Sequence, residues 1–156
     1  MCGLFGVVAY RNKNTDLISK MVMSLGKESE VRGTDAGGLS FVVKGSGLTS
    51  VRNAGAISKS GVFKFLNENK VVMGHTRMTT QGTASHAYNN HPFPSKVGGY
   101  TMAHNGVIYN DKTLAKTHNL PDTKVETDSY IVVRMIDHLY GGVINFDTLR
   151  AVAEQL

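Results

Sequence analysis

The chain opens with Met1-Cys2-Gly3-Leu4-Phe5-Gly6, and the interpretation of the fold depends on this stretch and the apolar residues after it. Residues 4–8 (LFGVV) form a short apolar run, which is typical of a buried strand. Cys2, directly in front of that run, is the only cysteine in the chain. A lone cysteine is most often a small buried apolar residue. The alternative, a reactive thiol held at a strand end, therefore needs support from the rest of the sequence.

The composition limits the classes of protein to which the chain can belong. Its 156 residues are 41% hydrophobic and 19% charged, which predicts one globular domain spanning residues 1–156. One cysteine cannot form an internal disulfide, and no basic segment precedes the short apolar run as in a secretory leader. No apolar stretch is long enough to span a membrane. These features favour a cytoplasmic protein.

The charge pattern argues against a nucleic-acid-binding protein. The formal net charge is +5, but the basic residues are spread along the chain without a dense run, and aromatic residues do not alternate with them. We therefore expect a mildly basic, solvated surface. The six histidines show no ligand spacing typical of a metal site, and one cysteine gives no zinc cluster. Neither a metal nor a cofactor is expected.

Hydrophobic periodicity predicts mixed strands and helices. Strands are expected at residues 4–8, 39–43, 48–53, 70–76 and 100–104. Helices are expected at residues 15–28, 57–69, 111–118, 127–140 and from 146 onward. The first helix should be capped by Thr15 or Asp16 and bury a face formed by Leu17, Ile18, Met21, Val22 and Leu25. Several strands are joined by links of hairpin length, which indicates a largely antiparallel α+β domain.

A second feature, the Asn105-Gly106 pair at the end of a predicted strand, gives Cys2 a chemical context. The Asn105 side-chain amide and the Gly106 backbone N–H can point at the same place. Attack of a thiolate on an amide carbonyl creates an oxyanion that needs such donors. If Met1 is removed, the α-amine of Cys2 can act as the base for its own thiol. By itself, however, Asn-Gly is better explained as a tight turn.

Arg77 and Asp128 could hold an amino-acid substrate. Arg77 follows a predicted strand, where its guanidinium could bind a carboxylate bidentately. Asp128 begins the strongest predicted helix, where an ordinary N-cap role is the simpler interpretation. A zwitterionic amino acid needs one cation and one anion at a fixed separation, and this pair could supply them.

Five motifs occur along the chain in a fixed order: Cys2 to Gly6, Arg32 to Asp35, Gly74 to Arg77, His104 to Gly106, and Glu126 to Ser129. Together they resemble the class II glutamine amidotransferases, which are N-terminal-nucleophile (Ntn) hydrolases. The likeness extends from residue 2 to about residue 140. It is strongest to the glutaminase domains of the glucosamine-6-phosphate synthase and phosphoribosyl pyrophosphate amidotransferase groups. The resemblance implies a four-layer αββα sandwich with two antiparallel sheets, truncated here at its C-terminal end.

The resemblance also implies an activity and a set of site residues. Glutamine would be hydrolysed to glutamate, and the ammonia passed to an acceptor or synthase domain in the full-length protein or in a separate chain. A homo-oligomer is a further expectation. The implied roles are catalysis for Cys2, Asn105 and Gly106, glutamine binding for Arg77, Thr80 and Asp128, and ordering of the loop around the cysteine for Arg32 and Asp35.

Some residues depart from the family pattern and leave the subfamily open, and two alternatives for the activity stand apart from these departures. Met78 stands where an aromatic residue is usual in these two groups, and Gln81 stands where the glucosamine synthases carry a histidine. One alternative is an Ntn hydrolase of γ-glutamyl amides, which would use the same nucleophile and the same clamp. The other is a non-catalytic regulatory module. Retention of Met1 would favour it, because Cys2 would then lack a free α-amine.

Overall fold

Two antiparallel sheets and four helices build the fold in this structure, a computed structural model that describes residues 2–10, 14–43, 45–66 and 69–156. The larger sheet has the strand order β1-β4-β2-β3, and the smaller one pairs β5 with β6. The strands are β1 (Gly3–Val8), β2 (Ala36–Val43), β3 (Gly47–Ala54), β4 (Val71–Arg77), β5 (Phe93–Pro94) and β6 (Thr101–Met102). The helices are α1 (Thr15–Ser29), α2 (Asp111–Thr117), α3 (Tyr130–Tyr140) and α4 (Phe146–Ala153), with short 3-10 helices at Glu30–Arg32, Val62–Phe65 and Ala87–Asn89.

The elements stack in four layers. Side chains alternate across a strand, so Leu39 and Val72 point from one face of the large sheet to meet Ile18 and Val22 of α1 in a buried core. The opposite face meets the small sheet, where the hydroxyls of Ser40 and Thr101 are 3.1 Å apart. The small sheet is covered in turn by α3, through packing of buried Phe93 against Tyr130 and Val133. The predicted αββα sandwich with two antiparallel sheets is confirmed.

A separate apolar cluster ties the three C-terminal helices together. Its buried members come from α2, α3, α4 and the segments beside α2, and they are Ile108, Leu114, Leu120, Ile131, Met135, Ile136 and Val152. Burying one such side chain stabilises the fold by roughly 1.5–3 kcal/mol relative to leaving it exposed. Gly141, in the left-handed region at φ +58°, ends α3, as the glycine pair at this position predicted.

The start and the buried face of α1 differ from the prediction. Asn14, not Thr15 or Asp16, caps the helix, because its side-chain Oδ1 accepts a hydrogen bond from the backbone N–H of Leu17 at 3.0 Å. The buried positions are Ile18, Val22 and Gly26. The predicted members Leu17, Met21 and Leu25 are exposed. Periodicity of apolar residues overlooked Gly26, where an added Cβ would lie 2.6 Å from the ring of Phe63.

The predicted helix over residues 57–69 is wrong. The described part of this segment forms only the 3-10 helix Val62–Phe65, and Asn67 and Glu68 lie outside the described residues. Gly61 has a φ of +76°, in the left-handed region, which interrupts a right-handed helix at that point. The last predicted strand, residues 100–104, is also shorter, since only Thr101 and Met102 pair with β5.

The strand order places three chain segments at one end of the large sheet, where β1 and β2 begin and β4 ends. Antiparallel neighbours run in opposite directions, so β1 begins where β4 ends, and the register pairs Gly3 with Thr76. The register of β2 pairs Ala36 with Arg77. Cys2, the residue after Arg77 and the residue before Ala36 are thereby brought together. Gly3 is required at this junction, because an added Cβ would lie 2.5 Å from Thr76 Oγ1.

Candidate active site

Cys2 lies beside the end of β4, half-buried. The backbone N–H of Met78 donates to its sulfur at 3.3 Å, and the thiol lies 3.4 Å from the carbonyl oxygen of the same residue. The carbonyl oxygen of Cys2 accepts two further hydrogen bonds, from Arg32 Nε at 2.8 Å and from Asn105 Nδ2 at 3.0 Å. Four hydrogen bonds therefore fix both the thiol and the backbone of this residue.

Asp35, like Arg32, lies close to Cys2, where the family resemblance implied that the two would order the surrounding loop. The Asp35 carboxylate accepts a hydrogen bond from the backbone N–H of Thr79 at 2.7 Å, and its own N–H donates to the carbonyl of Arg77 at 2.9 Å. Gly33 packs so closely against the end of β4 that an added Cβ would be 2.5 Å from the Arg77 carbonyl carbon. The loop is thus attached to the chain just after β4. An open cavity of about 420 Å³ lies here, lined by residues 30–35 and Met78.

Asn105 contacts Cys2 although the two residues are 103 positions apart, and Gly106 follows it directly. Asn105 is held at both ends of its side-chain amide: Nδ2 donates to the Cys2 carbonyl, and Oδ1 lies 3.0 Å from His75 Nε2. An Nδ2 group carries two hydrogens, so one remains for a ligand. The backbone N–H of Gly106 donates to no described residue and lies in an exposed segment. Each of the two residues thus keeps an N–H that can donate to an anionic ligand.

The ring of His104 explains why residue 106 is glycine. An added Cβ would lie 2.6 Å from both Cε1 and Nε2 of that ring. The ring cannot turn away freely, because His104 Nδ1 is 2.9 Å from the hydroxyl of Ser129, a buried residue at the start of α3. The His104 ring, held by Ser129, therefore leaves no room for a side chain at residue 106.

Arg77 is buried, and neighbouring polar groups of the chain bind its guanidinium. It is 3% exposed. Its guanidinium donates to Asn90 Oδ1 at 2.6 Å, Thr127 Oγ1 at 3.2 Å and Gly82 O at 3.3 Å, and it also donates to the carbonyl of Gln81. It forms no ion pair with any carboxylate in the described chain. Burial lowers the pKa of Arg77, while the charges of Cys2, Asp35 and Asp128 raise it.

Asp128 and Thr80, the other two predicted substrate-binding residues, differ in their surroundings. Asp128 is 3% exposed, and one carboxylate oxygen accepts the backbone N–H of Ile108 at 2.6 Å. It precedes α3, which begins at Tyr130, so Asp128 is not the N-cap of that helix. Thr80 lies on the exposed segment after β4 and makes no hydrogen bond with a described residue. The structure brings Asp128 near Arg77 and leaves Thr80 at the surface.

Two histidines in the site were not predicted from the sequence. His75 is 0% exposed and His91 is 4% exposed, and their rings pack with centroids 4.3 Å apart. Burial lowers the pKa of His75 to about 4, although its hydrogen bond with Asn105 acts in the opposite direction. Burial, with the charges of His75 and Arg77 as smaller causes, lowers the pKa of His91 to about 2. Both rings are neutral near pH 7.

A simple signal in the sequence could have identified His75. Residues two apart on a strand share a face, so His75 had to lie beside Arg77 on β4. Asn90 and Thr127 hold the Arg77 guanidinium and gave no such signal. Asn90 lies in a segment without periodicity, and Thr127 lies at the predicted start of a helix, where a capping role is the simpler interpretation.

The described residues show neither a metal site nor a membrane span. Nowhere in residues 2–10, 14–43, 45–66 and 69–156 do three histidine, cysteine or carboxylate side chains come close enough to hold a metal ion. Within the same ranges, every helix is too short or too polar to cross a lipid bilayer.

Curated relatives match most of this chain, although no family model matches it. The glutamine–fructose-6-phosphate aminotransferase (isomerizing) of Bacillus subtilis strain 168 is 34% identical over 146 residues, which are 91% of this chain and 23% of that protein. The enzyme of the same name from Bacillus spizizenii is 34% identical over 160 residues, covering 100% of this chain and 25% of that protein. The one from Staphylococcus epidermidis is 32% identical over 142 residues. The chain thus spans about a quarter of the length of these relatives.

Two solved structures share the fold. Glutamine phosphoribosylpyrophosphate amidotransferase from Bacillus subtilis, complexed with ADP and GMP, superposes with a TM-score of 0.71 at 21% identity. A structure described as the allosteric regulatory enzyme of purine biosynthesis superposes with a TM-score of 0.73 at 22% identity. Each likeness covers 99% of this chain and 33% of the solved chain. At this level of identity the likeness concerns the fold.

Proposed function

This chain belongs to the class II glutamine amidotransferases, as its motifs predicted, and we propose that it catalyses the glutaminase half-reaction of such an enzyme. The observation that carries the proposal is the hydrogen bond from Asn105 Nδ2 to the Cys2 carbonyl. It places a side-chain donor, with one hydrogen still available, next to the only thiol in the chain. The thiol, this donor and the buried cation of Arg77 lie at the same end of the large sheet.

The proposed reaction starts with removal of Met1, which frees the α-amine of Cys2. The amine takes the thiol proton, and the thiolate attacks the carbonyl carbon of the glutamine side chain. The resulting oxyanion is stabilised by Asn105 Nδ2–H and the Gly106 N–H. The carbon–nitrogen bond then breaks, the proton on the α-amine passes to the leaving nitrogen, and ammonia is released. Water hydrolyses the thioester with the amine as base, which gives glutamate and restores the thiol.

The proposed substrate site uses the buried charge of Arg77. A buried cation without a carboxylate partner favours binding of an anion nearby, and the α-carboxylate of glutamine is such an anion. In this conformation the guanidinium is engaged by the carbonyls of Gln81 and Gly82, so direct contact with the carboxylate requires these carbonyls to move aside. Asp128 would bind the α-ammonium group through the carboxylate oxygen that accepts no hydrogen bond from Ile108. Thr80, on the exposed segment, would contact the same substrate.

The ammonia needs an acceptor, and we propose that a further domain or a separate chain supplies it. The relatives that match this chain are about four times as long, which fits a linked acceptor or synthase module. A cytoplasmic location and a homo-oligomeric state also belong to this proposal. The acceptor would determine the product of the whole enzyme, because a glutaminase fold serves several acceptors.

The test compares the chain with and without Met1. Intact mass identifies the form in which the α-amine of Cys2 is free. That form should hydrolyse glutamine and take one equivalent of 6-diazo-5-oxonorleucine at Cys2, while the form that retains Met1 and a Cys2→Ser variant should do neither. If the mature form neither hydrolyses glutamine nor takes the label, the proposed function is wrong. Faster hydrolysis of γ-glutamyl peptides than of glutamine would favour the γ-glutamyl amide hydrolase instead.

A further inference from the structure

The side-chain amide of Asn105 is held by a residue that does not touch the thiol. One end of the amide, Nδ2, donates to the carbonyl oxygen of Cys2, and the other end, Oδ1, lies 3.0 Å from His75 Nε2. Asn105 itself is exposed, whereas His75 is 0% exposed. The buried ring of His75 therefore holds the exposed side chain of Asn105 in place.

An asparagine amide has two orientations that differ by a half turn, and the two partners of Asn105 favour the same one. A turned amide would place Oδ1 against the Cys2 carbonyl oxygen, so two acceptors would face each other. It would also place Nδ2 against His75 Nε2. If that nitrogen carries a hydrogen, two donors would meet there as well. The observed orientation is thus selected most strongly when His75 has its hydrogen on Nε2.

The surroundings of His75 favour the neutral ring with its hydrogen on Nε2. Nδ1 is buried and has no hydrogen-bond partner in the described chain. Burial lowers the pKa of the ring, and hydrogen bonding with the Asn105 side chain and the His104 backbone raises it. Nδ1 itself, however, has no acceptor in the described chain, so a hydrogen there would be buried and unpaired. The ring of His91 packs against that of His75, with the centroids 4.3 Å apart. The low pKa of His75, about 4, agrees with a ring that stays neutral near pH 7.

The sheet fixes the ring of His75 in place. His75 lies within β4, opposite Leu4 of β1 and opposite Gly38 of β2. Gly38 leaves room for the chain that carries His91, because an added Cβ would overlap the His91 carbonyl oxygen. The His91 ring then packs between His75 and Phe93, whose centroid is 4.4 Å from that of His91.

We propose that His75 is a positioning residue of the oxyanion hole, in which its Nε2–H donates to Asn105 Oδ1 and keeps the Asn105 N–H groups directed at the reaction centre. The proposal rests on the proposed function only for its effect on rate. The orientation of the amide is a property of the chain whether or not it hydrolyses glutamine. His75 does not contact the substrate, so its loss acts through Asn105.

A double-mutant cycle tests the effect on rate. His75→Leu removes the donor with little change in volume, and we expect kcat for glutamine hydrolysis to fall about tenfold to hundredfold with KM nearly unchanged. Asn105→Ala removes the oxyanion donor itself and should cost about a hundredfold to a thousandfold. In the double variant, the loss should be no larger than for Asn105→Ala alone. Independent, multiplying losses would overturn the proposal, because a purely structural role of His75 would also act without Asn105.

A conservative variant and a spectroscopic measurement separate positioning from folding and from activity. His75→Gln keeps a side-chain N–H donor and should restore most of kcat; equal losses for Gln and Leu would contradict the proposal. Long-range proton–nitrogen NMR spectra should show His75 of the unmodified chain as the Nε2–H tautomer, with its resonance shifted in Asn105→Ala. A hydrogen on Nδ1 would overturn the inference. If the chain has no glutaminase activity, the proposed function fails. The tautomer of His75 still tests whether its Nε2–H donates to Asn105 Oδ1 and orients the amide.

Discussion

Asn105 donates a hydrogen bond from its side-chain amide to the carbonyl oxygen of Cys2 at 3.0 Å, although the two residues are 103 positions apart. This contact joins the first residue before β1 to the segment that follows β6. It therefore holds a donor from the segment after β6 next to the residue that carries the thiol. The proposed active site exists only where the two layers meet, so the fold has to form before the chemistry can.

Asn105→Asp tests the requirement for a donor at this position with almost no change in size. A carboxylate cannot donate to the Cys2 carbonyl, and its negative charge opposes formation of the oxyanion. We expect kcat for glutamine hydrolysis to fall by at least about a thousandfold, beyond the loss of a single donor. Steady-state kinetics measures the loss, and thermal unfolding serves as the control. An Asp variant with more than a tenth of the original kcat would exclude Asn105 from the oxyanion hole.

Gly106→Ala tests whether the backbone donor needs the contact with His104. The new Cβ would lie 2.6 Å from the ring, which Ser129 holds in place. The ring or residue 106 must therefore shift, and we expect kcat to fall at least about tenfold, with about 1–3 kcal/mol lost from the free energy of unfolding.

Gly99→Ala is the matched control for that variant. An added Cβ at Gly99 meets nothing within 4 Å. The substitution should change the free energy of unfolding by less than about 0.5 kcal/mol and leave kcat unaltered. Equal effects of the two alanines would show that the His104 contact does not position residue 106.

The sequence predicted the strands of the large sheet well because their signals are local. The run LFGVV, the hairpin of β2 and β3, and the strand before Arg77 all appear close to their expected places. The prediction from apolar periodicity failed where a glycine determines the local structure. Gly61 interrupts a predicted helix with a positive φ, and Gly26 forms part of the buried face of α1 because the ring of Phe63 packs against it. Neither effect is visible in a pattern of apolar residues.

The site could be predicted only in part, for a similar reason. The motifs contain Cys2, Asn105 and Gly106, and in the structure Asn105 donates to the Cys2 carbonyl. The motifs also contain the residues that hold them, but the motifs alone do not indicate this role: His75 anchors Asn105, and Ser129 holds the ring that contacts Gly106. Such contacts depend on which layers pack against each other. A single sequence carries no direct record of that packing.

The two buried histidines should make stability depend on pH in one direction. The pKa is about 4 for His75 and about 2 for His91, both below the ordinary value of 6.5. Below pH 6.5 the unfolded chain therefore binds protons that the folded chain does not, so the free energy of unfolding falls as pH falls. Each histidine contributes a slope of about 1.4 kcal/mol per pH unit, His75 down to about pH 4 and His91 down to about pH 2. Urea unfolding at several pH values between 7 and 4 measures this dependence of the free energy of unfolding on pH.

His91→Phe isolates one of these two contributions. Phenylalanine keeps a ring against His75 and Phe93, and it removes two buried ring nitrogens that have no hydrogen-bond partner in the described chain. Stability at pH 7 should change by less than about 1.5 kcal/mol. Between pH 6 and pH 4 the slope should be smaller than in the unmodified chain by about 1.4 kcal/mol per pH unit. Identical slopes would show that His91 is protonated equally in both states.

Arg77→Lys should damage both stability and glutamine binding, because Arg77 joins Asn90, Thr127 and the loop after β4 through a planar group. A lysine ammonium cannot reach these acceptors together. We expect a loss of about 2 kcal/mol or more in the free energy of unfolding, and a KM for glutamine that rises more than kcat falls. Arg150→Lys, at an exposed arginine 3.7 Å from Glu154, is the control and should cost less than about 0.5 kcal/mol. If Arg77→Lys keeps the original stability and KM, Arg77 neither holds the loop nor binds the carboxylate.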